Sequence, residues 1–489
     1  MKQFILFAGF SILICATSCK TVQKTSVLDF NAEAFTTQTL KVNDKEIKVR
    51  AYENISYVEN PVDTIYQKMN IYIPAEYFEN KTINGYSADN APIFFPNQIG
   101  GYMPGNPGTA INNGKGMGGM QSGPTTIAQA LAKGYVVASA GARGRTFKTG
   151  KAPAAIVDLK AAVRYLKFND KKMAGDANKI ISNGTSAGGA LSALLGATGN
   201  NKDYEPYLKA LGAADATDDI FAVSAYCPIT NLDHADMAYE WQFNGVNDYK
   251  KIDISMLDYN VQRKEVSGTL SANEINVSNQ LKAAFPEYVN SLQLKDANGN
   301  LLQLDKDGNG NFKELVKSYV IASAQKTLDK GTDLSALKWL TIENGKITAL
   351  DFDGYVRYME RMKTPPAFDA LDLSSGENQL FGNETTDSRH FTKFALANTT
   401  KQGGIAEEKT IKMMNPMYYI GTQGTTTTKH WRIRHGTKDK DTGLGISVLL
   451  ATLLQNNGYD VNLELPWDRP HSGDYDLDEL FTWIDKTTK

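Results

Sequence analysis

Between Thr36 and Ile73 apolar and polar residues alternate, as in Ile47-Lys-Val-Arg-Ala-Tyr52 and Met69-Asn-Ile-Tyr-Ile-Pro74. A period of two predicts half-buried antiparallel strands. The pattern then changes to continuous apolar runs, Ala91-Pro-Ile-Phe-Phe-Pro-Asn97 and Gly134-Tyr-Val-Val-Ala-Ser-Ala140, which read as buried strands. Apolar residues three and four apart predict helices over Thr125–Lys133 and Ala155–Lys167. Ile180-Ile181 belongs to a further strand, Ala190–Gly196 to a helix, and Ile220–Tyr226 to another strand. Strand, helix, strand, turn, helix, strand is the order of a parallel α/β core with right-handed crossovers.

Regular alternation lapses from Pro228 to near Pro416, a stretch of about 185 residues, far too long for a loop. It carries a polar helical region, two turn-rich stretches (Asp296-Ala-Asn-Gly-Asn300 and Asp305–Phe312) and an aromatic helix, Tyr355–Met362. The core pattern resumes with a strand at Lys429–His435, a helix at Gly445–Asn457, a strand at Val461–Trp467 and a helix at Leu477–Lys486. The expected organisation is therefore a core built from 36–228 and 416–489, with 229–415 inserted as a lid domain.

The 489 residues are 42% hydrophobic and 22% charged with a formal net charge of -2, an ordinary globular composition. Near-neutral charge gives no reason to expect nucleic acid as a partner. The N-terminus differs from the rest. A basic Met1-Lys2, an apolar or small run from Phe4 to Ala16, and Ala16-Thr-Ser-Cys19 together read as a lipoprotein signal over 1–18. Cys19 is the expected lipidation site, 19–35 the tether, and a lipid anchor in the bacterial envelope the expected location, in periplasm or at the cell surface. Of Cys15, Cys19 and Cys227, processing leaves Cys227 as the sole free thiol. It ends the apolar stretch Phe221-Ala-Val-Ser-Ala-Tyr-Cys227 and is expected as a packed strand residue.

The chemistry centres on Asn183-Gly-Thr-Ser-Ala-Gly-Gly189, where Gly184-x-Ser186-x-Gly188 sits between a strand and a helix. That is the setting of a nucleophile elbow, whose glycines leave room for a strained turn that lifts Ser186 Oγ clear of the sheet. The fold it belongs to is the α/β-hydrolase core, with a mainly parallel sheet. A serine hydroxyl needs a base and an acid to orient that base, in the chain order serine, acid, histidine. Of five histidines, only His471 follows the last core strand and precedes the final helix. The acid should follow the preceding strand, where Asp439 and Asp441 both stand; Asp439 is nearer the strand end. The oxyanion donors are expected at the Ala187 amide and at Gly100 or Gly101, in the glycine-rich loop that follows the early strand and runs on to Gly119.

Two motifs invite metals. His234 lies between Asp233 and Asp236, but no second His or Cys stands at ligand spacing, which favours a loop or helix cap. Asp305-x-Asp307-x-Asn309-Gly310 begins like a calcium loop, yet its twelfth position is Val316 where a bidentate glutamate belongs. The alternative there is a hairpin turn with Asn-Gly chemistry. No metal or organic cofactor is expected for the reaction.

Taken together, Gly184-Thr-Ser-Ala-Gly-Gly-Ala-Leu-Ser192, the Ile99-Gly-Gly loop, the large insertion, Lys363-Thr-Pro-Pro-Ala-Phe-Asp369, Asp439-x-Asp441 and Pro-His471-Ser resemble the bacterial tannases, the galloyl esterases. The resemblance implies a triad of Ser186, Asp439 and His471, an oxyanion glycine at Gly100, and a grip on the ring hydroxyls of gallate by Lys363, Glu377 and Asp441. A phenolic ester is then the expected small-molecule partner, and Ile229 the expected apolar wall. An ammonium with two carboxylates can pair with hydroxyls that both donate and accept. Two other readings share parts of this pattern. A feruloyl esterase, general carboxylesterase or peptidase would keep the triad without the grip; a catalytically silent envelope-anchored module would only bind polyphenol or glycan.

Overall fold

The computed structural model describes residues 27–111, 124–257 and 260–489, the side chains of 252–263 excepted. The N-terminal apolar run, Cys19, the Lys20–Thr25 stretch and the far end of the glycine-rich loop through Gly119 lie outside the described residues. The alternating region forms three strands, β1 (Thr36–Val42), β2 (Lys45–Ser56) and β3 (Lys68–Pro74). The apolar runs give β4 (Pro92–Pro96), β5 (Val136–Ala140), β6 (Asp176–Thr185) and β7 (Ala222–Tyr226), of which β4, β5 and β7 are buried throughout. Two hairpins follow, β8 (Asp248–Leu257) with β9 (Asn260–Thr269) and β10 (Leu340–Glu343) with β11 (Lys346–Leu350). The central sheet is completed by β12 (His430–Arg434) and β13 (Asp460–Glu464).

Nine strands make up that sheet in the order β1-β2-β3-β5-β4-β6-β7-β12-β13. The first three ladders are antiparallel and the rest parallel. The chain passes from β4 to β5 on one side and returns to β6 on the other, and open α/β sheets bind ligands at the carboxyl ends beside such a reversal. Register sharpens the point. Thr185 pairs with Tyr226 and Tyr226 with Arg434, so β6, β7 and β12 end flush, and Ser186, Cys227 and His435 emerge side by side. Among the described residues no helix is long and apolar enough to cross a membrane.

The expected core helices are present with small shifts of their ends, Ala154–Phe168, Ala187–Ala197, Leu444–Asn456 and Leu477–Thr488. The aromatic helix spans Phe352–Met359 and stops at Glu360, whose φ of 63° cannot continue a right-handed helix. The Asp305 turn departs from a hairpin. Its carboxylate accepts the backbone N–H groups of Asp307 and Asn309 at 2.9 Å each, and the turn leads straight into helix Asn311–Asp329. His234 stacks on Tyr288 at 3.7 Å between ring centroids, while Asp236 accepts the backbone N–H groups of Phe368 (2.7 Å) and Asp369 (3.1 Å). These two residues thus tie helix Leu232–Phe243 to distant parts of the chain.

Within the segment between β7 and β12, Trp241 packs against Phe285, Phe312 and Phe352 at 5.2, 5.9 and 5.6 Å. Beside this cluster Arg361 and Glu240, both fully buried, form an ion pair. Ser278 Oγ donates to the second oxygen of Glu240 at 2.5 Å, and Arg361 donates to the carbonyls of Lys363 (2.7 Å) and Phe243 (3.3 Å). A buried pair of this kind holds its partners in place, but the cost of desolvation offsets much of its attraction. Arg361→Met should therefore destabilise the protein by about 3–5 kcal/mol in denaturant unfolding, and adding Glu240→Met should restore most of the loss. A single-variant effect below about 1 kcal/mol would place the pair with weak surface bridges instead.

Candidate active site

The elbow geometry follows from its glycines. Ser186 has φ 62° and ψ −123°, a strained pair for a residue with a side chain. A Cβ on Gly184 would lie 2.3 Å from the Gly188 carbonyl oxygen, and one on Gly189 would lie 2.6 Å from that of Tyr226, so neither position tolerates a larger residue. The Ser186 N–H donates to Tyr226 (3.0 Å), and the Ser186 carbonyl accepts from Ile229 (3.3 Å). Ser186 is thereby pinned between β6 and the chain leaving β7. The first intrahelical bond after it runs from Ala190 to Ser186, which leaves the Ala187 N–H at the open N-terminus of helix Ala187–Ala197.

Asn97 fastens the glycine-rich loop to that terminus. Its amide nitrogen donates to the carbonyls of Asn183 (3.2 Å) and Gly188 (3.0 Å), and its oxygen accepts the Ile99 N–H at 3.3 Å. A Cβ on Gly188 would meet the Ile99 carbonyl at 2.8 Å, so Gly100 is held close to Ala187. The Tyr102 hydroxyl donates to the Ile229 carbonyl at 3.2 Å, joining the same loop to the buried Ile229.

The loops after β12 and β13 are bound to each other. Thr437 and Lys438 donate their N–H groups to the carbonyls of Pro466 and Arg469 at 3.0 Å each. This brings His471 Nδ1 to 2.8 Å from Asp439 Oδ2, whereas Asp441 Oδ2 stands at 3.7 Å. The other Asp439 oxygen accepts the Asp441 N–H at 2.9 Å. Gly473, two residues past His471, packs so tightly that a Cβ there would lie 1.8 Å from Thr185 Oγ1, which sets the histidine loop against the residue before Ser186. Asp474 secures this loop by accepting from Asn183 (2.9 Å) and Thr126 (2.8 Å).

Burial alone would keep the His471 ring neutral, but the charge of Asp439 and its hydrogen bond outweigh that and raise its pKa well above the ordinary 6.5. Burial likewise works against ionisation of Asp439, and His471 and His435 overcome it to hold the carboxyl below its usual range. His435, fully buried with Nδ1 2.8 Å from Ser447 Oγ and Nε2 3.8 Å from Asp439, has its pKa lowered by burial.

Lys363 Nζ stands 3.9 Å from Asp441 Oδ1 and 4.0 Å from the centre of the Phe368 ring. One hydroxyl positions both of the first two residues. Tyr239 accepts the Lys363 N–H at 3.0 Å and donates to the Lys440 carbonyl, also at 3.0 Å. Glu377 opens helix Gly376–Leu380, next to Asn378, whose side chain donates to Asp369 at 2.7 Å. Arg145 ties this helix to the glycine-rich loop, donating to the Gly101 carbonyl (2.7 Å) and to Gln379 Oε1 (2.5 Å). Burial lowers the Arg145 pKa, and the charge of Glu377 opposes that shift, so the two side chains are electrostatic neighbours.

Sequence reasoning passed over Tyr239, Arg145 and Asn97, whose partners stand far away along the chain and leave no local signal. It also placed Cys227 inside a strand. The residue lies just beyond β7 with φ 36°, its Sγ 3.4 Å from the Ser472 carbonyl oxygen and within hydrogen-bonding reach of the His471 ring.

Residues 107–282 match the family model described as BD-FAE. A short stretch is 45% identical over 56 residues to Esterase LipC of Mycobacterium tuberculosis, 12% of this chain and 14% of that one. Similarity to solved structures is far more extensive. The tannase of Fusobacterium nucleatum is 55% identical with a TM-score of 0.90, over 94% of this chain and 99% of its own. Tannin acyl hydrolase from Lactobacillus plantarum is 46% identical with a TM-score of 0.89 over the same shares, 94% and 99%. Tannin acyl hydrolase in complex with ethyl gallate or with 3,4-dihydroxybenzoate matches at 46% identity and a TM-score of 0.87, again over 94% and 99%. With near-complete coverage at these identities and an α/β-hydrolase fold, the chain belongs to the tannase family, a family of carboxylic ester hydrolases.

Proposed function

We propose that this protein hydrolyses galloyl esters, and protocatechuoyl esters with them, by serine acyl-enzyme chemistry. The observation that carries the reading is the run of contacts from His471 Nδ1 to Asp439 (2.8 Å) and Asp441 (3.7 Å) and on to Lys363 (3.9 Å), which sets a polar grip beside a histidine–carboxylate pair. In relatives of the same fold the bound phenolic molecules are ethyl gallate and 3,4-dihydroxybenzoate. Ser186 Oγ forms a bond to the ester carbonyl carbon as His471 accepts its proton through Nε2, and Asp439 holds the ring by Nδ1. Negative charge gathering on the carbonyl oxygen faces the amides of Ala187 and Gly100. The C–O bond to the alcohol then breaks, with His471 returning the proton to the departing oxygen. Water, deprotonated by the same ring, releases the aromatic acid and restores the serine.

Recognition of the acid falls to Lys363, Glu377 and Asp441, with Ile229 as the apolar wall. A site that bonds hydroxyls rejects a ring without them, because its own polar groups are left unpaired. Methyl gallate should exceed methyl benzoate in kcat/KM by about 10⁴ to 10⁵. Lys363→Ala and Glu377→Ala should lose that advantage while cleaving a small activated acetate ester normally. Equal turnover of gallate and benzoate esters by the native enzyme would reduce the reading to a general carboxylesterase. No labelling of Ser186 by a fluorophosphonate would leave only a binding module.

The ionisation of His471 supplies a second test. A base acts only when neutral, so kcat/KM should fall as pH drops through the raised pKa of the ring, with the acidic limb above 6.5. Asp439→Asn removes the charge that raises it. The limb should move to lower pH while kcat falls by about 10⁴-fold. A limb that stays in place would mean that another group governs it.

The segment 229–415 is proposed to act as the lid that carries Lys363 and Glu377 over the serine. Lipidation of Cys19 is proposed to anchor the protein in the bacterial envelope, on the strength of the apolar run and the small residues before it. Cells expressing the full chain should incorporate labelled palmitate into it, and Cys19→Ala should abolish labelling and move the activity out of the membrane fraction. Unchanged fractionation would count against the anchor.

A further inference from the structure

Cys227 has no part in the proposed reaction, yet it stands next to the histidine assigned to that reaction. Flush registry of β6, β7 and β12 delivers it to the same edge as Ser186 and His435. Its backbone is held at φ 36° by an N–H bond to the Arg434 carbonyl, so the thiol cannot swing away with the loop. One ligand atom each from Cys227, Asp439 and His471 lie within 4.8 Å of one another, and among the described residues no other set of three or more His, Cys, Asp or Glu side chains is so close.

A thiolate, an imidazole and a carboxylate are the donor types that zinc prefers, at about 2.0–2.3 Å each, which puts neighbouring donors roughly 3.5 Å apart in a tetrahedron. All three ligand atoms already lie within 4.8 Å of one another, and the His471–Asp439 pair, 2.8 Å apart, opens to admit the cation. The His471 side chain is 22% exposed while Cys227 and Asp439 are buried, so a cation reaches the group past the His471 ring. We infer that Cys227, His471 and Asp439 form an inhibitory site for a borderline-soft divalent cation such as Zn²⁺. On binding, the metal–sulfur bond replaces the S–H bond, whose proton passes to solvent; the ring proton leaves Nδ1 for Nε2, freeing the Nδ1 lone pair for the metal, and the metal takes the Asp439 lone pair that otherwise holds the base in place. No redox change is involved. Hard cations such as Mg²⁺ do not compete for the thiolate. The inhibition rests on the proposed role of His471 as base, whereas the metal binding itself does not.

The test uses the full-length enzyme with Zn²⁺ and Co²⁺ as probes. Native protein should lose ester hydrolysis on addition of Zn²⁺, recover it with a chelator, and ignore Mg²⁺. Bound Co²⁺ should give a thiolate-to-metal charge-transfer band. Cys227→Ala should keep its activity, need at least ten times more Zn²⁺ for the same inhibition, and lack the band; Cys227→Ser serves the same purpose if the alanine variant folds poorly. Equal Zn²⁺ sensitivity of native and variant enzymes, or bound Co²⁺ without the band, would overturn the site. A band with full activity retained would instead confirm the metal site and fault the role given to His471.

Discussion

Everything at this site depends on one buried carboxylate with two oxygens already committed. Asp439 gives Oδ2 to His471 and Oδ1 to the Asp441 N–H, and it is fully buried. A charge withdrawn from water is costly unless each of its acceptor positions is filled. Here a ring N–H and a peptide N–H fill them, and the carboxyl stays ionised despite its burial. Orientation of the proposed base and placement of Asp441 are consequently the same geometric fact. A rotation of Asp439 that loosened His471 would also release the peptide on which Asp441 stands.

From that carboxylate the constraint passes outward into the segment between β7 and β12. The Tyr239 hydroxyl accepts from Lys363 and donates to Lys440, so two stretches of chain 77 residues apart meet at one oxygen atom. Behind it the Arg361–Glu240 pair grips the Lys363 carbonyl. The Glu377 side is secured separately, through Asn378 to Asp369 and through Arg145 to the glycine-rich loop. Asp236 completes this frame. Burial, aided by the charge of Asp369, pushes its pKa up to about 8, and its two oxygens accept the backbone N–H groups of Phe368 and Asp369.

What could be read from the sequence was whatever local geometry dictates. The run of apolar β4 and β5, the helical spacing of Ala154–Phe168 and the glycines around Ser186 are each legible within a short window, because sterics and burial act on near neighbours. Cys227 shows where this fails. An apolar run does not say at which residue a strand ends, and one position decides whether a thiol is packed within the sheet or emerges at its edge. Asp439 and Asp441 pose the same difficulty, since both follow β12 at plausible spacing. Only the distances of 2.8 and 3.7 Å to His471 Nδ1 separate them. Tyr239, Arg145 and Asn97 were silent because their partners are remote in the chain and their residue types are common in ordinary surfaces and cores.

The gap between Lys363 and Asp441 bears on how the proposed grip works. At 3.9 Å, with side chains 21% and 25% exposed, the two are attracted but not closed into a short hydrogen-bonded bridge. Their separation is set from behind, by Tyr239 on the backbone of one and Asp439 on the backbone of the other, with Phe368 under the ammonium. Had they collapsed onto each other, a ring hydroxyl would have to break a charge-assisted bond before forming its own. Held apart, they keep donor and acceptor capacity for a third group, and the cost of ordering them is met in folding rather than at binding. In the proposed grip, the rigidity of the frame around Asp439 keeps the groups from satisfying one another, so a ring without hydroxyls would leave them unpaired.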